Sequence, residues 1–138
     1  MKRYLNIWQV WVMVLYIAVV LYLTLFCRER LELTESYIII PRNKYYLVSI
    51  GWMPAVWEVV DNILLFIPLG ILLPMVCVHI SWKKVAIIAI ATSASIEVCQ
   101  LVFRLGLFEL NDILHNTFGA VVGYSIYLLF TKIKMNFK

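Results

Sequence analysis

Four long apolar stretches, a hydrophobic content of 64% over 138 residues and only 14% charged side chains predict an all-α membrane protein with four transmembrane helices. The mean hydropathy of +0.91 points the same way, since soluble domains run about 45 to 50% apolar. The predicted spans cover about 7–26, 59–80, 85–103 and 113–131, with an extramembrane segment of about 27–58 between the first two. So many spans in so short a chain leave little for a second module, and residues 1–138 read as a single transmembrane domain.

The first span follows the basic start Met1-Lys2-Arg3. Its apolar run is too long for a cleaved leader and no small-x-small site follows. Phe26 stands before Cys27 where a lipoprotein needs a small residue, so an uncleaved helix is expected. In the segment after it, Tyr37–Ile40 and Tyr45–Ile50 are β-branched or aromatic runs around Pro41-Arg42-Asn43-Lys44, the pattern of a hairpin. Trp52, Trp57, Tyr45 and Tyr46 suit a headgroup interface. The second span contains Pro68 and Pro74, each of which deletes a backbone donor and is expected to bend the helix. Cys77 and Cys99 fall inside spans and Cys27 at a helix end, which offers neither a disulfide framework nor metal spacing. No cofactor motif is visible.

Orientation follows from the basic residues, because cytoplasmic loops retain Lys and Arg. Lys2, Arg3, Lys83, Lys84, Lys132, Lys134 and Lys138 fall to one side. Arg28, Arg30, Arg42 and Lys44, diluted by Glu29, Glu32 and Glu35, fall to the other with Arg104. Both termini are therefore expected inside. The net charge of +4 reflects this topology and supplies no argument for nucleic acid as a partner.

Polar residues inside the spans single out a site. A charged side chain at the centre of a membrane helix costs roughly 2.5 to 3.5 kcal/mol on insertion scales. At about 100° per residue, Ser93, Glu97, Gln100 and Arg104 share one face of the third helix. Asp112, Asn116, Gly119 and Gly123 form one stripe of the fourth, while Glu58 and Asn62 lie a turn apart in the second. His115 lies off its stripe by some 60°. With the expected topology, Asn62, Glu97, Gln100, Asp112 and Asn116 all fall in the outer half of the membrane. The amides could equally hold the bundle together, since interhelical hydrogen bonds are common there. Glu97 and Asp112 are costlier to bury, and Arg104, two turns beyond Glu97, is their expected neutralising partner. Gly119-x-x-x-Gly123 is a helix-packing signal.

Three blocks then carry a family resemblance. They are Asn62-Ile-Leu-Leu-Phe-Ile-Pro-Leu-Gly70, Ile96-Glu97-Val-Cys-Gln100 and Asn111-Asp112-Ile-Leu-His-Asn116-Thr-Phe-Gly119-Ala120, the last followed by Gly123-Tyr124. In this order they resemble the VanZ-like membrane proteins. The family pattern has an Arg just before an Asp-x-Asp-Asp stretch. Here Arg104 is displaced and Asn111 replaces one Asp. The resemblance implies a multi-pass protein of the bacterial plasma membrane and, for some members, resistance to the lipoglycopeptide teicoplanin.

Two functions remain open at this level. One is a non-catalytic pocket made by Asn62, Glu97, Gln100, Arg104, Asp112 and Asn116 for membrane lipid, a lipoglycopeptide antibiotic or a lipid-linked cell-wall precursor. The other is a membrane enzyme acting on a lipid-linked envelope substrate, with Glu97 or Asp112 as general acid or base. Binding is favoured, because no nucleophile motif, metal ligand set or nucleotide loop accompanies the carboxylates. Proton-coupled transport ranks third, since four helices without a repeat would need a homo-oligomer to form a pathway.

Overall fold

The computed structural model describes residues 6–27, 52–77, 79–106 and 108–136. All regular structure among them is helical: α1 (Ile7–Leu21), a π-helical turn (Tyr22–Phe26) that continues it, α2 (Trp52–Val76), α3 (Trp82–Val102) and α4 (Leu110–Asn136). Each of the four, with the π turn counted into the first, is long and apolar enough to cross a membrane. The expected hairpin at 37–50 lies outside the described residues.

The helix ends depart from the hydropathy limits for local reasons. α2 begins at Trp52, so residues 52–58 form its first two turns. Polar Glu58 and Asp61 end an apolar window without ending a helix, and Pro54 is tolerated in a first turn because its missing N–H has no intrahelical acceptor there. α3 starts at Trp82 because Ser81 caps it: the Ser81 hydroxyl accepts from the Lys84 N–H at 3.5 Å. α4 runs on to Asn136 through Lys132 and Lys134, which are good helix formers outside lipid. α2 continues as one helix through both Pro68 and Pro74.

Side-chain pairings give the relative directions. Gly119 of α4 lies against Ile63 of α2 and Gly123 against Ile67, the same step along both helices, so α2 and α4 are parallel. Asn116 bonds Ser93 while Glu109 bonds Glu97, opposite steps, so α3 is antiparallel to α4. Tyr16 donates to the Leu65 carbonyl at 2.9 Å, and Thr24, further along α1, shares a cavity wall with Asn62, earlier in α2. α1 is therefore antiparallel to α2. The helices alternate in direction, and Asn6 and Asn136 lie at the same end of the bundle.

Glycine makes the α2–α4 contact possible. A Cβ at Gly119 would collide with the Ile63 carbonyl oxygen, one at Gly123 with the Ile67 oxygen, and one at Gly70 with the Ala120 oxygen. Close backbone approach of this kind drives association in lipid, where burying an apolar side chain gains little over exposing it to acyl chains. Phe66, Leu69, Leu73, Val85, Ala89, Ile96, Ala120 and Val20 fill the remaining core. The outside is apolar, with Trp11, Leu15, Ile87, Leu129 and Phe130 exposed.

Candidate functional site

At the end of the bundle where α1 and α3 finish and α2 and α4 begin, the interior turns polar. Ser93, Glu97, Gln100, Asp112 and Asn116 retain 0%, 2%, 1%, 5% and 4% of their exposure. In soluble domains carboxylates are almost never this buried unless paired. The helical period puts Ser93, Glu97 and Gln100 on one side of α3 and Asp112 and Asn116 on one side of α4, and the two stripes face each other. The Asn116 Nδ2 donates to the Ser93 Oγ at 2.8 Å across that interface.

Glu97 also bridges to α4. Its Oε2 accepts the Glu109 backbone N–H at 2.9 Å, immediately before the first residue of α4. Asp112 occupies the first turn of the same helix. Both carboxylates therefore sit at a helix N-terminus, where unpaired N–H groups and the macrodipole amount to roughly half a positive charge.

Arg104, the expected neutralising partner, stands apart from both stripes. α3 ends at Val102, and Arg104 follows in the left-handed region with φ 59°. Its N–H bonds the Leu101 carbonyl at 3.2 Å and the Leu105 N–H bonds the Gln100 carbonyl at 2.8 Å. These two bonds form a Schellman stop. The 100° period no longer applies at Arg104, and its side chain is exposed. Gly106, two residues on, was the available cue to a helix end.

Gln100 reaches the other way, to α1. Its Nε2 donates to the Thr24 carbonyl at 3.0 Å. Thr24 belongs to the π turn, where the Cys27 N–H bonds the Tyr22 carbonyl at 3.2 Å, and its hydroxyl bonds the Val20 carbonyl at 2.8 Å. Extra-residue turns of this type recur at functional sites. Neither Thr24 nor this link is legible in the sequence, because nothing in an apolar run marks a π turn.

Beside Thr24 opens a cavity of about 490 Å³ lined by Leu23, Thr24, Asp61, Asn62, Leu64 and Leu65. The Asn62 Nδ2 is buried there and has no hydrogen-bond partner among the described residues. The same holds for the Gln100 Oε1, Asn116 Oδ1 and His115 Nδ1. Of the residues singled out in the sequence, α3 and α4 thus gather Glu97, Gln100, Asp112 and Asn116. Asn62 stands next to them across Thr24, Arg104 stays outside, and Asp61 joins as a cavity wall without having been expected.

Comparison with known proteins places the chain in a family. The chain is 31% identical over 75 residues to Protein VanZ of Enterococcus faecium, a match covering 54% of this chain and 47% of that protein. The chain thus spans about half the length of that relative. No solved structure matches. The VanZ/LLP1 family model matches residues 13–131, which takes in α2 and α3 whole and most of α1 and α4, and the chain belongs to the VanZ/LLP1 family.

Proposed function

We propose that this protein lies in the bacterial plasma membrane with both termini inside and binds an amphiphile without transforming it. The amphiphile is an envelope lipid or a lipoglycopeptide such as teicoplanin, and the binding contributes to tolerance of that antibiotic. The observation that carries this reading is the cavity beside Asn62: its wall mixes three leucines with Thr24, Asp61 and a buried amide N–H that lacks an acceptor. An apolar wall with a few convergent polar groups suits a ligand that is part chain and part head. An unsatisfied buried donor costs about 1 to 3 kcal/mol, which a ligand acceptor would recover.

The test compares three variants expressed in bacteria at equal protein level. Asn62→Leu keeps the volume and removes the amide, Glu97→Gln removes a charge from the neighbouring cluster, and Leu129→Ala alters a lipid-facing position. Loss of teicoplanin tolerance in the first two and its retention in the third is the expected result. Full tolerance in all three would defeat the binding reading. Incubation of the purified protein with lipid-linked cell-wall precursor, followed by mass spectrometry, addresses the enzyme alternative. A new product that vanishes in Glu97→Gln would replace binding by catalysis. For orientation, single cysteines at Ser36 and Lys134 in a cysteine-free background should differ, with only position 36 reached by an impermeant thiol reagent in intact cells.

A further inference from the structure

We propose that an anionic phospholipid binds at the end of the bundle where α3 begins, with its headgroup at Lys84 and one acyl chain in a slot between α1 and α3. The slot follows from how α1 is attached. α1 rests on α2, where the Tyr16 hydroxyl donates to the Leu65 carbonyl at 2.9 Å, and it meets α3 through the π turn, where the Gln100 Nε2 donates to the Thr24 carbonyl at 3.0 Å. Before that turn the two helices stand apart, and a second cavity of about 490 Å³ lies between them, with Met13 and Val20 of α1, Leu69 and Leu73 of α2, and Ile88 and Ile96 of α3 among its walls. The Tyr16 and Ser95 hydroxyls on that wall are already spent on backbone carbonyls, the second on Ala91 at 2.7 Å. The slot therefore asks for hydrocarbon.

One end of the slot is closed and the other is charged. Leu25 and Cys99 line it beside Thr24 and Gln100, so the hydrogen bond between those two stops it there. From Cys99 back to Ile88 it follows α3 for about 16 Å. Over that length the cavity is narrow, with room for one hydrocarbon chain and not two abreast. Ile88, Thr92, Ser95 and Cys99 recur at helical spacing and form one stripe of α3. Lys84 is one turn before Ile88 on the same stripe, which puts it at the mouth of the slot. Lys84 and Lys83 are both exposed, the Lys83 Nζ standing 5.9 Å from the centre of the Trp82 ring. Lys132 and Lys134 finish α4 at the same end. The acids among the described residues, Glu58, Asp61, Glu97, Glu109 and Asp112, belong to the opposite end. Charge complementarity therefore selects an anion, and basic residues beside a membrane helix attract the headgroups of anionic lipid. A phosphate at Lys84 with a chain entering beside Ile88 describes a phospholipid of the adjoining leaflet. The Asn62 cavity lies toward the other end, so this seat does not rest on the reading proposed for that cavity.

The experiment is thermal unfolding of the purified full chain in detergent, without antibiotic, titrated with dioleoyl phosphatidylglycerol, with dioleoyl phosphatidylcholine, or with the chainless headgroup glycerophosphoglycerol. The seat predicts a saturable rise in Tm of roughly 5 °C or more with phosphatidylglycerol at a hundredfold excess over its dissociation constant, and no comparable rise with the other two. An equal rise with phosphatidylcholine removes charge from the recognition, and an equal rise with glycerophosphoglycerol makes the site one for a free phosphate ester. Either result overturns the inference, as does no rise with any of the three. Lys84→Gln should raise the concentration of phosphatidylglycerol needed for half the effect about fivefold. Ser95→Trp fills the slot from an exposed position and should abolish the rise, whereas Ile87→Trp, on the outward side of the same helix, should keep it. An unshifted midpoint in Lys84→Gln or a full rise in Ser95→Trp overturns the inference. If Ser95→Trp does not fold, Lys84→Gln still decides, because its position is exposed. Asn62→Leu should leave the rise intact. Loss of the rise in Asn62→Leu with its retention in Lys84→Gln would move the lipid to the Asn62 cavity, overturning this seat while supporting the reading proposed there, so the two fail separately.

Discussion

Two neighbouring stretches of α4 are held to the bundle by opposite means. At its start, Asp112 and Asn116 face α3 through carboxylate, amide and hydroxyl groups. One to two turns later, Gly119 and Gly123 face α2 with no side chain at all, their α-carbons against the Ile63 and Ile67 carbonyls. The difference shows a division of labour that lipid imposes. Close backbone packing is the strong source of helix association there, whereas interhelical hydrogen bonds contribute only about 0.6 kcal/mol on average. The glycine stretch gives the closest backbone approach between α2 and α4, and the polar stretch links α4 to α3 through side-chain hydrogen bonds.

The comparison breaks most directly at the glycines. Gly119→Ala and Gly123→Ala each place a methyl group into a backbone carbonyl that cannot rotate away, so the helices must separate. A loss of about 3 kcal/mol or more is expected, seen as collapse of folded yield in detergent. Wild-type yield from both would end the claim that this seam holds the bundle.

A smaller effect is expected at the polar end. Gln100→Leu removes the bond to the Thr24 carbonyl, and unfolding should be easier by about 0.6 to 1.7 kcal/mol. A loss as large as that of the glycine variants would erase the division of labour. Tyr16→Phe deletes one hydroxyl from the α1–α2 contact at Leu65 and should cost about 0.6 kcal/mol. Because α1 and the π turn after it bury only Gln9, Val20 and Thr24, the Tyr16→Phe change should show first as faster proteolysis of α1 and not as global unfolding.

Last is Arg104, where the sign reverses. A left-handed position favours glycine over any residue with a Cβ, by about 1 kcal/mol. Arg104→Gly should therefore leave the bundle unchanged or raise Tm by a few degrees. A marked drop would point to the guanidinium as a partner of a buried carboxylate.

Much of this protein follows from the chain read in order. Lipid penalises every unpaired polar group, so apolar length alone marks four spans, and the helical period alone puts Glu97 with Gln100 and Asp112 with Asn116 on interior faces. Those are local rules, and they stop where pairing is between distant segments. No periodicity shows that α2 and α4 run parallel with Gly70 at the Ala120 carbonyl, because a glycine in one helix says nothing of which carbonyl will approach it. The same limit hid the Thr24 carbonyl that orients Gln100, the Glu109 N–H that donates to Glu97, and the left-handed stop that turns Arg104 out of its stripe. Each depends on backbone atoms, which every residue carries alike, and only the folded arrangement decides which of them are near.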